Sequence, residues 1–184
     1  MTIVLLGCHG TGKTTLGVAL ARLTGIPFHD EVGRRLASDP GLRPAGRTAA
    51  ETQSAFDAAV FDEELARDAS WPVSEPRIVE TWHPGNLAYA SRRSPVVGAT
   101  RMPGVAASCA RGEVIAVPLV ASRDALAARQ SEPGDLEFFR AVGRDAERWA
   151  RALGLRVLRP TRTDRAPTDE IADRLWHQLR DCRA

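Results

Sequence analysis

Lysine is almost missing from this chain of 184 residues: Lys13 is the only one, and the other twenty-four basic residues are arginines. The two are not interchangeable where space is tight, because arginine is a planar fork and lysine a compact charge on a thin stem. The single lysine therefore marks a place where a point charge is required. Cysteine is scarce too. Cys8, Cys109 and Cys182 lie far apart and form neither a C-x-x-C pair nor a zinc spacing. This excludes a disulfide framework and fits reduced thiols in a cytoplasmic protein. No apolar run approaches the roughly 20 residues that span a bilayer, which argues against a membrane partner. The apolar start from Met1 to Leu6 lacks the basic lead and cleavage site of a signal peptide, so it reads as a first strand. A formal net charge of only +2, with no concentrated basic stripe, argues against a nucleic-acid polymer while permitting an anionic small molecule.

What is present suits one domain over residues 1–184, because 43% hydrophobic residues at this length can build a substantial core. Short apolar runs alternate with longer amphipathic ones, the pattern of a parallel sheet wrapped by helices. Strands are expected at Thr2–Leu6, Ile26–His29, Arg77–Glu80, Val114–Leu119 and Leu155–Leu158. Leu16, Leu20 and Leu23 recur at helical spacing before Gly25. Thr48 and Glu51 form the S/T-x-x-E capping box of a long helix ending near Ala69. Two further helices are expected around Leu136–Leu153 and Ile171–Leu179. Segments rich in Pro, Gly and Arg at Asp39–Arg47, Ala69–Pro76 and Ser94–Gly104 read as loops.

Gly7-Cys8-His9-Gly10-Thr11-Gly12-Lys13-Thr14 satisfies G-x-x-x-x-G-K-[ST]. It stands between a predicted strand and a predicted helix, the context this motif requires. The glycines let backbone N–H groups wrap around phosphates, Lys13 reaches the β and γ oxygens, and the Thr14 hydroxyl is placed for Mg²⁺. Gly7, His9, Gly10, Thr11, Gly12, Lys13, Thr14 and Thr15 are thus the expected nucleotide-binding set, with ATP and Mg²⁺ as cofactors. The fold expected is the P-loop NTPase type of α/β architecture: three layers, with about five parallel strands flanked by helices. Glu80, at the carboxyl edge of a strand, is the expected second group for the metal. Asp30 and Glu31 end another strand. One carboxylate there would take the proton of an attacking hydroxyl and the other would cap the following helix; Glu31 is assigned to the site and Asp30 to the cap. Arg34 and Arg35 lie one turn on, and one of them is placed to pair with substrate phosphate.

Glu80-Thr81-Trp82-His83-Pro84-Gly85-Asn86-Leu87-Ala88-Tyr89 resembles the thymidylate-kinase stretch D-R-Y-x-x-S-x-x-A-Y. His29 to Arg35 resembles the P-E-x-x-R stretch of deoxynucleoside-kinase-like and small AAA-type ATP-binding proteins. Ser122 to Arg129 resembles the helix leading into the lid of the same group. The resemblance implies a kinase that transfers a phosphoryl group to a small-molecule acceptor such as a nucleoside or nucleotide. It also implies a short lid near 129–135, with Arg129 neutralising charge. An acceptor pocket would be served by Arg34, Gln53, Trp82, Tyr89 and Arg93. Thr81 stands where the family has the arginine that helps grip an acceptor phosphate, Glu80 is one methylene longer than the usual aspartate, and the lid holds one arginine. These departures point away from a standard thymidylate kinase. Two other readings are a hydrolytic switch and a binding module without turnover. The guanine-reading N-K-x-D motif is absent, and a full AAA+ motor needs an added helical domain. The oligomeric state is open, a homodimer included.

Overall fold

The computed structural model describes residues 1–37, 39, 42, 48–129 and 136–182. Its elements follow in the order β1 (Thr2–Leu6), α1 (Lys13–Thr24), β2 (Phe28–His29), α2 (Val32–Leu36), α3 (Ala49–Ser70), β3 (Arg77–Glu80), α4 (Trp82–Arg93), α5 (Pro95–Cys109), β4 (Val114–Val120), α6 (Arg123–Arg129), α7 (Leu136–Ala152), β5 (Arg156–Val157), β6 (Thr161–Arg162) and α8 (Thr168–Asp181). The strands form one parallel sheet in the order β2-β3-β1-β4-β5, with β6 paired to the end of β4. The chain leaves β1 toward the β3 side and later returns to the β4 side. A crevice therefore opens beyond the carboxyl end of β1, the place where such sheets bind ligands.

Alternation along β1 divides the core. Val4 and Leu6 face a layer built from α3, α4, α5 and α7, with Phe61, Leu87, Val105 and Val142 packed against them. Ile3 and Leu5 face the other layer, where Leu16 and Leu20 of α1 meet Ile171, Leu175 and Leu179 of α8. Apolar faces on both sides explain why β1 and β4 read as near-continuous apolar runs. Among the described residues no helix is long and apolar enough to cross a membrane.

The capping box is present as expected: the Thr48 hydroxyl accepts from the Glu51 backbone, and the Glu51 carboxylate accepts from the Thr48 backbone. One reading needs correction. Ser94–Gly104, expected as a loop, lies largely in α5. Pro95 occupies the first turn, where its missing N–H costs nothing. Gly98 lies against Ala90 and Leu87, and Gly104 against Leu65. Both glycines serve close helix packing, which overrides their low helix propensity. The sheet of about five parallel strands is as expected: the strand at Leu155–Leu158 is present as β5, and the short β6 follows it.

Gly17 shows how closely α1 packs. A Cβ there would come within 2.2 Å of the Phe28 ring. Gly17→Ala is therefore expected to cost about 1–3 kcal/mol through overpacking, read as a lower urea midpoint with an unchanged m-value. An unchanged midpoint would mean that Phe28 gives way freely.

Candidate active site

The loop after β1 reverses the chain at the mouth of the crevice. Gly7 has φ 150°, and a side chain there would strike the Thr11 hydroxyl and the Leu119 carbonyl. Gly12 has φ 83° at the N-cap of α1, a left-handed conformation that glycine adopts without strain. The N-terminal end of α1 thus points into the cleft with its unpaired N–H groups and positive dipole end.

Lys13 is buried, and its Nζ donates to the Gly7 carbonyl at 3.1 Å and the Cys8 carbonyl at 3.2 Å. The same ammonium lies 3.9 Å from Glu80 Oε1. Glu80, 1% exposed at the end of β3, accepts from the Thr14 hydroxyl at 2.9 Å and from Arg34 Nη2 at 2.8 Å. Arg34 also donates to Thr14 Oγ1 at 3.1 Å and approaches Glu31 at 3.9 Å. From the opposite side Arg129 Nη1 donates to the Gly10 carbonyl at 2.9 Å. These groups enclose a cleft of about 380 Å³ whose far wall is Thr163, Thr168 and Ile171.

The cleft suits a nucleoside triphosphate: it offers helix N–H groups, an ammonium and guanidinium groups around open space. It also suits Mg²⁺, because Thr14 and Glu80 supply adjacent hard oxygen donors of the kind Mg²⁺ takes together with substrate phosphates and water. Among the described residues no cluster of three or more His, Cys, Asp or Glu could hold a metal. Such an ion would be held jointly by the protein and the nucleotide.

A second cavity of about 180 Å³ adjoins α2 and is lined by Glu31, Phe56, Asp57, Asn86, Tyr89, Arg93 and Phe139, among others. Asp57 is 3% exposed. It accepts from Arg93 at 2.6 Å, from Gln53 at 3.3 Å and from the Ser94 hydroxyl. The Arg93 guanidinium lies 4.6 Å from the Tyr89 ring centroid. Burial pushes the Tyr89 phenol well above its ordinary value, and the Glu31 charge adds to that, so the ring is held as a neutral hydrogen-bonding group.

The structure gathers Lys13, Thr14, Thr15, Glu80, Arg34, Arg129 and the loop glycines Gly10 and Gly12 around the first cleft, with His9 at its edge 5.7 Å from Phe139. Gly7 and the buried Thr11 shape the loop from behind, and the Thr11 hydroxyl is spent on the Cys8 carbonyl at 2.8 Å. Cys8 is unpaired and buried, and burial pushes its thiol up while Lys13 opposes the shift. Tyr89, Arg93 and Glu31 line the second cavity, with Gln53 reaching its wall through Asp57. Arg92, by contrast, pairs with Asp145.

Three placements differ from expectation. Trp82 is 3% exposed and turned away from both cavities, its indole N–H donating to Asp68. Its backbone φ of 48° swings it behind the sheet edge. Arg34 belongs to the Glu80 side, not the second cavity. The N-cap of α2 is Glu31, without a side-chain capping bond, and Asp30 does not fill that role. Most of the lid segment, 130–135, lies outside the described residues, as does much of the expected loop at 39–47.

Sequence reasoning missed Asp57, Asn86 and Phe139 in the second cavity, and Thr163 and Thr168 in the first. One signal was available. Gln53, Asp57, Glu64 and Asp68 follow one another at spacings of four, seven and four, a polar stripe on one face of a helix. The face they share turns inward, where Asp57, Glu64 and Asp68 are buried.

Residues 2–115 match the sequence pattern of the family described as AAA domain. A search of curated protein sequences finds no significant match. Solved structures are similar at low identity. NadR, in complex with NR, has a TM-score of 0.66 at 16% identity, covering 96% of this chain and 50% of that one. The present chain thus spans about half the length of NadR. Deoxyadenosine kinase from M. mycoides, with products dCMP and dCDP, gives 0.63 at 11% identity over 99% and 100%. Shikimate kinase from Acinetobacter baumannii, in complex with shikimate, gives 0.56 at 16% over 98% and 93%. At these identities the likeness is one of fold.

Proposed function

We propose that this chain, which belongs to the AAA domain family, is a P-loop kinase. In this reading it moves the γ-phosphoryl group of ATP to a hydroxyl of a small, unphosphorylated metabolite, a nucleoside or a molecule of similar size. The observation that carries the reading is Glu31. Its carboxylate lines the aromatic-lined cavity and lies 3.9 Å from Arg34, which lines the phosphate cleft. A hydroxyl held in that cavity needs a base in that position.

Charge supports a hydroxyl over a phosphate acceptor. The one guanidinium among the described lining residues of the second cavity, Arg93, is committed to the buried Asp57. The other lining charge, Glu31, is a carboxylate 3.9 Å from Arg34, so the described lining residues offer no uncommitted cation to a phosphate ester. Phe56, Tyr89 and Phe139 offer ring surface, while Asn86 supplies an amide for polar edges.

In the proposed reaction the loop N–H groups and Lys13 hold the β- and γ-phosphates, and Arg129 neutralises charge from the α6 side. Thr14 and Glu80 would hold Mg²⁺, whose chemistry there is to neutralise the phosphate oxygens. Glu31 takes the acceptor proton as the acceptor oxygen bonds to phosphorus. The bond from phosphorus to the bridging oxygen breaks, and ADP leaves with that electron pair.

The test is ADP release from ATP and Mg²⁺ across nucleosides, nucleoside monophosphates and polyhydroxy metabolites. Acceptor-dependent release supports the kinase. Acceptor-independent release would favour a hydrolytic switch, and tight binding without release a binding module. Glu31→Gln is expected to lower kcat with a hydroxyl acceptor by about 10²–10⁴-fold, the usual worth of a positioned base, with little change in KM for ATP. An unaltered kcat removes Glu31 from the mechanism.

A further inference from the structure

The Glu80 carboxylate is buried, and without a donor nucleotide its charge needs a partner. Lys13 is only 3.9 Å away and spends its hydrogen bonds on the Gly7 and Cys8 carbonyls. The short contact belongs to Arg34, which reaches both Glu80 Oε1 at 2.8 Å and the Thr14 hydroxyl oxygen at 3.1 Å. These are the two protein oxygens that would hold a divalent cation. The Arg34 side chain is 48% exposed, so it comes in from solvent onto a partner that is itself buried.

We propose that Arg34 is an internal stand-in for the divalent cation. It keeps Thr14 and Glu80 together while the cleft lacks nucleotide, and it yields its place when the metal and nucleotide arrive. The inference rests on the nucleotide-and-metal reading of this cleft. Arg34 Nη2 sits 2.8 Å from Glu80 Oε1 and 3.1 Å from Thr14 Oγ1, the place an ion held by both oxygens would take, so the metal and the guanidinium compete for it. The partner within reach is Glu31, already 3.9 Å away and three residues before it. Arrival of the donor then places a guanidinium beside the carboxylate that faces the second cavity. Filling of one cleft is thereby linked to the charge of the other. Arg34 is in this sense a positioning residue, since it acts through Glu80 and Glu31.

The experiment titrates Mn²⁺ by electron paramagnetic resonance into the nucleotide-free full chain, comparing wild type, Arg34→Met and the double variant Arg34→Met with Glu80→Gln. Removing the competing guanidinium is expected to tighten Mn²⁺ binding by about tenfold or more, since the buried carboxylate keeps only the more distant Lys13 at 3.9 Å and is left open to the ion. The added Glu80→Gln change should abolish that gain. In chelator-treated buffer Arg34→Met should melt below wild type, and Mg²⁺ should restore more of its thermal stability than it adds to wild type. Equal Mn²⁺ affinity in wild type and Arg34→Met would overturn the proposal, as would a gain that survives Glu80→Gln. None of these readouts needs turnover. A wild-type protein that releases no acceptor-dependent ADP would sink the kinase reading and leave this one standing.

Discussion

Lys13→Ala is expected to lower acceptor-dependent ADP release by about three orders of magnitude or more, because it removes the one fixed ammonium aimed at the phosphates. The geometry makes the loss hard to compensate. Lys13 Nζ bridges the carbonyls of Gly7 and Cys8, so the ammonium both braces the loop and stands ready for the donor. Arg34 and Arg129, the nearby guanidinium groups, are already bound to Glu80 and to the Gly10 carbonyl. Lys13→Arg should fail almost as fully, since a planar fork does not fit where a thin stem threads a buried site. Steady-state kinetics with a coupled ADP assay measures the effect, and circular dichroism checks that the fold persists. Near-normal turnover in Lys13→Ala would remove phosphoryl transfer at this loop.

The second large effect is on stability. Asp68 on α3 is 6% exposed and gathers three side chains from two other helices. The Trp82 indole N–H donates to both of its oxygens at 3.0 and 3.1 Å, the His83 ring nitrogen lies 2.7 Å away, and the Ser108 hydroxyl completes the set. This cluster pins the start of α4 immediately after the Glu80-bearing strand. The backbone there is strained: Thr81 has φ 67° and ψ −64°, and Trp82 has φ 48°. Such conformations cost about 1–3 kcal/mol each and persist only where neighbours hold them. Asp68→Ala should therefore lose about 3–5 kcal/mol of unfolding free energy, since it strands buried donors and releases the turn. Urea denaturation measures it; a loss below about 1 kcal/mol would show that the cluster is replaceable.

The same group carries a pH signature. Burial pushes the Asp68 carboxyl up, but the bonds from His83, Ser108 and Trp82 together outweigh burial and leave it below its ordinary value of 3.8. A carboxylate depressed in the folded state adds stability above its unfolded value and loses it as pH falls through the folded one. Wild type should thus shed stability as pH drops below about 4. Asp68→Asn should show a smaller slope there.

How much of this was legible beforehand varies by residue. The cradle from Gly7 to Thr14 could be read because its chemistry is carried by backbone and neighbours in sequence: glycines where the chain must turn, then a lysine, then a hydroxyl. The Thr48–Glu51 cap is local in the same sense. Glu80 and Glu31 were placed because strand ends point to one edge of a parallel sheet. Trp82 was misplaced because its direction depends on two positive φ angles, which a sequence pattern does not carry. The helix α5 was hidden because its glycines and prolines are punctuation in isolation and packing surfaces in context.

By itself, then, the sequence determined the alternation of strands and helices, the phosphate cradle and the acids at the strand ends, since each depends on short-range geometry or a strict period. Only the tertiary structure decided that Arg93 is neutralised by Asp57, that Arg34 rests on Glu80, and that Trp82 braces a strained turn. Those are pairings between residues 14 to 46 positions apart, and burial of one partner selects them. The lone lysine marks the loop. The partners of the arginines mark what surrounds it.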